Sequence, residues 1–428
     1  MKVFLPAIVG HVPPQMVRAI ATFMEFCYIV RRSVITTEDL IKLEDLLVQF
    51  HKEREIFRIE GVRDGFNLPR QHSLKHYCHS IRKFGAPNGL CSSITESRHI
   101  TAVRKPWRRS SHFNALGQML LTNQRLDKLH ACAVDFRARG MLHGLAWGPA
   151  VPPQLHEQIG DKNNEHSNED DDGGAVDDRD ILGEVQLAQK PSTLLSFLFF
   201  NIIHIRTVPK VPRNVQLLAY HLGISSLPAL IARFLYSQEN PELDVPLNNI
   251  PLSQCPQYTG KVMMYASAVA TYNAPSDVHG VGGLFRERIR SVGSWRSGSE
   301  RRDCVFVEQD PKTPGFRGMF VAQVLAFLKL THNRVKYPCA IVSWFSTVGE
   351  EPCPQTGMWI VRRDRDTNGR PELSIIHLDT ILRAAHLIGI AGSMMIPREH
   401  LSYANSLNAF KTFYVNKFID YHAHEIAF

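Results

Sequence analysis

The eight cysteines, Cys27, Cys78, Cys91, Cys132, Cys255, Cys304, Cys339 and Cys353, are scattered, and none forms a Cys-x-x-Cys pair. Met1 runs straight into Val3-Phe4-Leu5-Pro6, with no secretory pattern. That argues against a disulfide framework, and reduced thiols in a nuclear or cytosolic setting fit best. Apolar runs are short. Residues 192–205, with Leu194, Leu195, Phe197, Leu198, Phe199, Phe200, Ile202 and Ile203, fall below the roughly 20 residues that a membrane span needs. No glycine-rich phosphate loop and no Ser/His/Asp arrangement is present, so the sequence offers neither nucleotide-loop nor serine-hydrolase chemistry. Acid is scarce where base is dense: residues 51–110 carry thirteen Lys or Arg against five Asp or Glu.

What is present is a chain of 428 residues, 44% hydrophobic and 21% charged, with a formal net charge of +8 and a pI near 9.1. That composition is ordinary for a globular protein, the length allows two or three domains, and the basic excess favours a polyanionic partner. Pro14 opens a helix carrying Val17, Ile20, Met24 and Cys27 at helical spacing, and Thr36 or Thr37 caps a second one with the stripe Leu40, Leu43, Leu47 and Phe50. His72, His76 and His79 share a helical face, without further ligands at a zinc-like spacing. Pro106 is expected to end a helix, leaving Trp107-Arg108-Arg109-Ser110-Ser111 as a loop. A following helix from about Phe113 should turn Leu116, Leu120, Asn123 and Leu126 inward.

The fold class read from this pattern is α+β. Residues 1–148 read as helical, and 149–190 as a disordered acidic linker, built on Glu165, Glu169, Asp170, Asp171, Asp172, Asp177, Asp178 and Asp180. Residues 191–258 form a helical connector, with 192–207 as an insertion in the manner of an unspliced intron. Residues 259–428 form a β-rich domain, a strongly bent sheet or SH3-like small barrel. Its expected strands are 261–270, 303–307, 319–330, 335–345, 358–362 and 373–377, closed by helices over 379–387 and 407–422. Trp344, Phe345 and Trp359 read as core. The run of Arg286, Arg288, Arg290, Arg296, Arg301 and Arg302 reads as a second basic surface or a flexible loop.

One carboxylate, Glu96, stands in the middle of the dense basic stretch. Ser93-x-x-Glu96 has the form of a capping box, in which Glu96 bonds its own helix start. The same carboxylate, turned outward, would be a ligand for Mg²⁺, although nothing local supplies the other acids of a two-metal site. Beside it, Arg98, His99, Arg104, Lys105, Arg108 and Arg109 suit phosphate contacts, and Trp107 suits stacking on an unpaired base.

Residues 84–128 resemble the Plavaka-type transposases, fungal CACTA-like DNA transposons. So do Arg54-Glu55-Ile56-Phe57, Leu68-Pro69-Arg70-Gln71-His72-Ser73-Leu74 and Ala423-His424-Glu425-Ile426-Ala427-Phe428. The likeness covers about residues 1–150 and 210–428. It implies an RNase H-like nuclease core in which three acids bind divalent metal, with Glu96 as the third, and DNA contacts from the residues beside it and from Arg70. In the family the first two aspartates lie upstream of what is Met1 here, so the resemblance implies the C-terminal portion of a transposase, nuclear and DNA-bound. It implies Mg²⁺ chemistry only where the missing acids are supplied, and partners in transposon-end DNA, further copies of the chain or the rest of a transposase. Alone, the chain is expected not to cleave DNA. The alternatives are a non-enzymatic nucleic-acid-binding protein and an assembly module, each of transposon origin.

Overall fold

Local rules start the first helices where the sequence places them. In the computed structural model α1 spans Phe4–Ile8 and α2 spans Pro14–Ile29, whose first residue needs no N–H partner. α3 (Thr37–Glu53) opens on a full capping box: Thr36 Oγ1 accepts from the Asp39 N–H at 3.2 Å, and the Asp39 carboxylate accepts from the Thr36 N–H at 3.0 Å. Short α4 (Ile56–Ile59) and α5 (Pro69–His72) lead to α6 (Tyr77–Phe84). Phe26, Ile29, Leu40, Leu43, Cys78 and Ile81 close one core between α2, α3 and α6.

The structure describes residues 3–90, 99–139, 173–175, 184–187, 211–240, 250–277, 284–296, 298–392, 401–402 and 405–427. They fall into two compact units, residues 1–82 with 172–428, and residues 83–171. The helical N-terminal region is thus divided: its first 82 residues belong to the same body as the β-rich part.

The strands are β1 (Gly173–Ala175), β2 (Glu184–Leu187), β3 (Met263–Tyr265), β4 (Ser267–Asn273), β5 (Leu284–Val292), β6 (Arg301–Arg302) and β7 (Cys304–Glu308). There follow β8 (Met319–His332), β9 (Val335–Thr347), β10 (Ile360–Arg363), β11 (Leu373–His377), β12 (Ile381–Ala385), β13 (Leu387–Gly389) and β14 (Thr412–Val415). One sheet has the order β1-β5-β4-β2, with β6 on β5; the other runs β12-β7-β8-β9-β10-β14-β13, with β11 on β9 and β3 on β8. All pairings are antiparallel, and the larger sheet bends into a nearly closed, barrel-like form.

The hairpin β8–β9 is the axis of that form, and a bulge between Val324 and Ala326 sets its bend. An extra residue on one strand exchanges the faces beyond it. Ala322 and Val324 face the core shared with Val305, Val307, Ala268 and Ile289; past the bulge that core receives Phe327. Ala326, Leu328 and Leu330 turn to the opposite face, where the helices Val215–Leu222 and Leu227–Glu239 lay down Leu218, Leu227, Ile231 and Phe234. Each such buried side chain contributes about 1.5–3 kcal/mol relative to exposure. A third core, at the β10–β14 end, contains Phe345, Trp359 and Phe413, and Trp344 is partly buried, as expected of this trio.

Several expectations are corrected. Residues 379–387 are not a helix: Ile381, Arg383 and Ala385 alternate inward along β12 against β7. Residues 407–422 are not one helix either, but a short helix Ser406–Ala409, strand β14 and the start of the helix Tyr421–Ala427. The acidic stretch supplies β1 and β2 as edge strands. The arginine run 286–302 is largely strand, with Arg290 2% exposed. The insertion 192–207 lies outside the described residues.

Candidate nucleic-acid interface

In the unit formed by residues 83–171, a π-helical turn Ile100–Arg104 runs directly into the α-turn Lys105–Arg109. Pro106 sits in the first turn, where its missing N–H costs nothing, so Trp107, Arg108 and Arg109 are helical and not a loop. The turn is braced from two sides. The Asn123 amide on the helix Ala115–Ala138 donates to Ala102 O at 2.7 Å, and the Ser110 hydroxyl donates to Trp107 O at 2.8 Å. Gln118 fixes the bend that follows, accepting from the Ser111 N–H at 3.0 Å and donating to Phe113 O at 2.9 Å. His112 and Asn114 take positive φ there, 63° and 46°.

Arg104, Lys105, Arg108 and Arg109 are all exposed, and among the described residues none has a carboxylate within ion-pair distance. Lys105 and Arg109 stand four apart on one turn, where like charges destabilise a helix by a few tenths of a kcal/mol. A polyanion would turn that repulsion into attraction. Trp107 is 46% exposed and stacks on the His112 ring at 4.9 Å and 15°, which holds the indole at the surface. His99, just upstream, is exposed. Glu96 and Arg98 lie outside the described residues. Arg70 belongs to the other unit, exposed on α5. The structure therefore brings together Arg104, Lys105, Trp107, Arg108 and Arg109 from the expected set.

The helix Ala115–Ala138 departs from expectation. Its half-buried face is Met119, Thr122, Asn123 and Leu126, while Leu116 and Leu120 are 69% and 61% exposed. The two stripes are neighbours on the helix and cannot be ranked by spacing alone. His72 and His76 meet edge to face at 5.4 Å, and with His79 they are exposed among the described residues.

Two buried ionic clusters in the other unit escape a reading by local pattern. Glu25 of α2 lies 2.7 Å from Lys417 and 3.2 Å from His424, with Lys42 at 3.0 Å. Burial pushes the Glu25 carboxyl up, but Lys417, then His424 and Lys42, hold it well below the usual carboxylate range. Arg383 of β12 is the second hub. It donates to both Asp420 oxygens at 2.8 and 2.6 Å, lies 3.7 Å from Glu287 and sits 4.9 Å from the Tyr272 ring centre. His422 stacks on Tyr272 at 4.4 Å, and burial, then Arg383, lowers its pKa to about 4. These clusters join α2, β5 and β12 to the segment 416–427, which holds His424 and Glu425 of the C-terminal motif. Their one sequence signal was polar residues inside apolar stretches.

Within the arginine run, Trp295 is flanked by the guanidinium groups of Arg290, Arg301 and Arg296 at 4.4, 5.0 and 5.4 Å, and Asp303 pairs with Arg301 at 2.9 Å. Much of that charge is stacked or neutralised. Among the described residues, which do not include Glu96, no group of three or more His, Cys, Asp or Glu could hold a metal ion. Comparison with family models, with curated proteins and with solved structures returned no match.

Proposed function

We propose that this chain is a DNA-binding protein of transposase descent, corresponding to the C-terminal portion of a Plavaka-type enzyme. The single observation that carries the reading is the exposed basic turn Arg104–Arg109 with Trp107 held at its surface. Guanidinium and ammonium groups there grip backbone phosphates, and the indole stacks on an unpaired base. On this reading residues 1–148 hold the end of an RNase H-like core, the barrel-like sheet is SH3-like, and the protein works in the nucleus on transposon ends. Glu96 is then the third acid of a metal set whose other members come from elsewhere, and this chain alone does not nick DNA with Mg²⁺.

The test is fluorescence anisotropy with single- and double-stranded oligonucleotides across a salt series. Binding should weaken steeply with salt, and Arg108→Gln with Arg109→Gln should make that dependence shallower by about 0.7–0.9 in slope for each phosphate no longer neutralised. Trp107→Ala should weaken single-strand binding by about 1–3 kcal/mol and duplex binding less. Absence of binding at low salt, or binding that ignores these substitutions, refutes the reading.

A second reading, an assembly module of transposon origin, is favoured by the exposed Phe113, Leu116 and Leu120. It requires self-association in sedimentation that Leu116→Gln with Leu120→Gln abolishes, together with negligible DNA affinity.

A further inference from the structure

In the β-rich unit, strands β8, β9 and β10 floor an open cavity of about 840 Å³ lined by four arginines, Arg302, Arg363, Arg365 and Arg370. Arg363 is the most enclosed. Its two terminal nitrogens donate to Ser343 Oγ and Gln323 Oε1, each at 2.8 Å, and its guanidinium lies 4.7 Å from the Phe345 ring centre. Gln323 is itself fixed by donating to Arg302 O at 3.2 Å. The groups that hold Arg363 are therefore neutral. Among the described residues no carboxylate pairs with it, and its Nε is buried without a partner. Burial pulls its pKa below the ordinary guanidinium value, and the charge of Arg365 pulls it further.

The acids on the cavity wall do not cancel this charge. Glu300 is engaged by Arg302 at 2.9 Å. Asp366 accepts from the backbone N–H groups of Asn368 and Arg370, at 2.9 and 2.8 Å, and so shapes the turn that presents Arg370. Glu372 also lines the wall, and it leaves the four arginines in excess of the three acids. Arg365 donates to Gly369 O at 2.6 Å, which tethers it to the same turn. A half-buried cation held only by neutral groups, with two more arginines on an adjoining turn, is costly unless an anion completes it. The strands beneath provide a rigid base for such a site.

We propose that this cavity binds a phosphate group between Arg363, Arg365 and Arg370, and, resting on the DNA-binding reading proposed for the basic turn, that the group is a backbone phosphate of the polynucleotide. Forked guanidinium donors match phosphate oxygens two at a time.

The test compares the full chain with Arg365→Gln/Arg370→Gln, both exposed, and with Arg370→Glu as a second variant should the first misfold; circular dichroism checks the fold. Inorganic phosphate at constant ionic strength is the first probe and a short single-stranded oligonucleotide the second. The expected result is that phosphate raises the melting temperature of the parent chain and not of the variants. The variants should also bind the oligonucleotide about tenfold more weakly, with a salt slope shallower by about 0.7 for each phosphate left without its arginine. Equal responses of parent and folded variants to both probes overturn the site. A phosphate response lost in the variants, with no oligonucleotide binding by the parent, upholds the site for free phosphate and sinks the DNA reading. Oligonucleotide binding lost in Arg108→Gln/Arg109→Gln but unchanged in Arg365→Gln/Arg370→Gln, with no phosphate response, upholds the basic turn and overturns the cavity.

Discussion

Replacing Arg383 with methionine removes one charge and keeps much of the side-chain volume. The guanidinium is 3% exposed and is the shared partner of Asp420 and Glu287, whose side chains are 23% and 22% exposed. Breaking a buried pair from one side costs about 3–5 kcal/mol, because the carboxylates stay behind without a counter-charge. The residual exposure of the two acids lets water screen part of that, so about 3 kcal/mol at pH 7 is expected. The loss should depend on pH in a defined direction. At present burial raises the Asp420 carboxyl but Arg383 outweighs it and holds the group low. Without Arg383, burial dominates and the folded-state pKa rises above the unfolded value. The folded chain then takes up protons as pH falls, so the variant recovers stability between about pH 7 and 5. Adding Asp420→Asn should recover part of the loss at pH 7. Urea unfolding followed by circular dichroism at both pH values measures this. A loss below about 1 kcal/mol, or one identical at pH 7 and 5, would show that the cluster is not held by charge compensation.

Other perturbations follow from the same geometry. Glu25 is held below its ordinary range, so its contribution is complete above about pH 4.5 and disappears as pH falls through its folded-state value. Lys417→Met should remove about 3 kcal/mol at pH 7 in the same urea assay. His422 has a folded pKa near 4, so the unfolded chain binds its proton first and stability falls as pH drops from about 6.5 to 4. His422→Phe keeps the stack on Tyr272 and should flatten that part of the curve of melting temperature against pH. Asp277 and Glu287 titrate in both proteins and cancel in the comparison. Gly318→Ala would place a Cβ 2.1 Å from Thr313 O and 2.8 Å from Asp310 O, both backbone, and should cost about 1–3 kcal/mol, read as a lower urea midpoint.

The central hairpin was legible in the sequence because its turn chemistry is local. Asn333 and Arg334 both take positive φ, 49° and 64°, between the paired residues His332 and Val335, as a two-residue hairpin loop requires. Strand Leu373–His377 and the helix starts at Pro14 and Thr36 were legible for the same reason. Strands β12 and β14 were not. Ile381-Leu382-Arg383-Ala384-Ala385 is rich in good helix formers, and pairing with β7 overrides that preference. The basic turn was found from composition alone, but its helical form depends on Pro106 entering a first turn behind a π-helical one. The ionic hubs were hidden because their partners, such as Glu25 and Lys417 or Arg383 and Asp420, lie far apart in the sequence. Glu96, on which the metal reading turned, lies outside the described residues.

The docking of α2 on segment 416–427 bears on biosynthesis. Tyr28 donates to Phe418 O across a separation of 390 residues, and Glu25 finds Lys417 and His424 only there. A nascent chain emerging from the ribosome therefore presents α2 with Glu25 on its inward face and only the half-exposed Lys42 to neutralise it, until almost all of these residues have been translated. Closure of this body is a late event with a large loop-closure cost, so a helper that shields α2 meanwhile should raise the yield of folded protein.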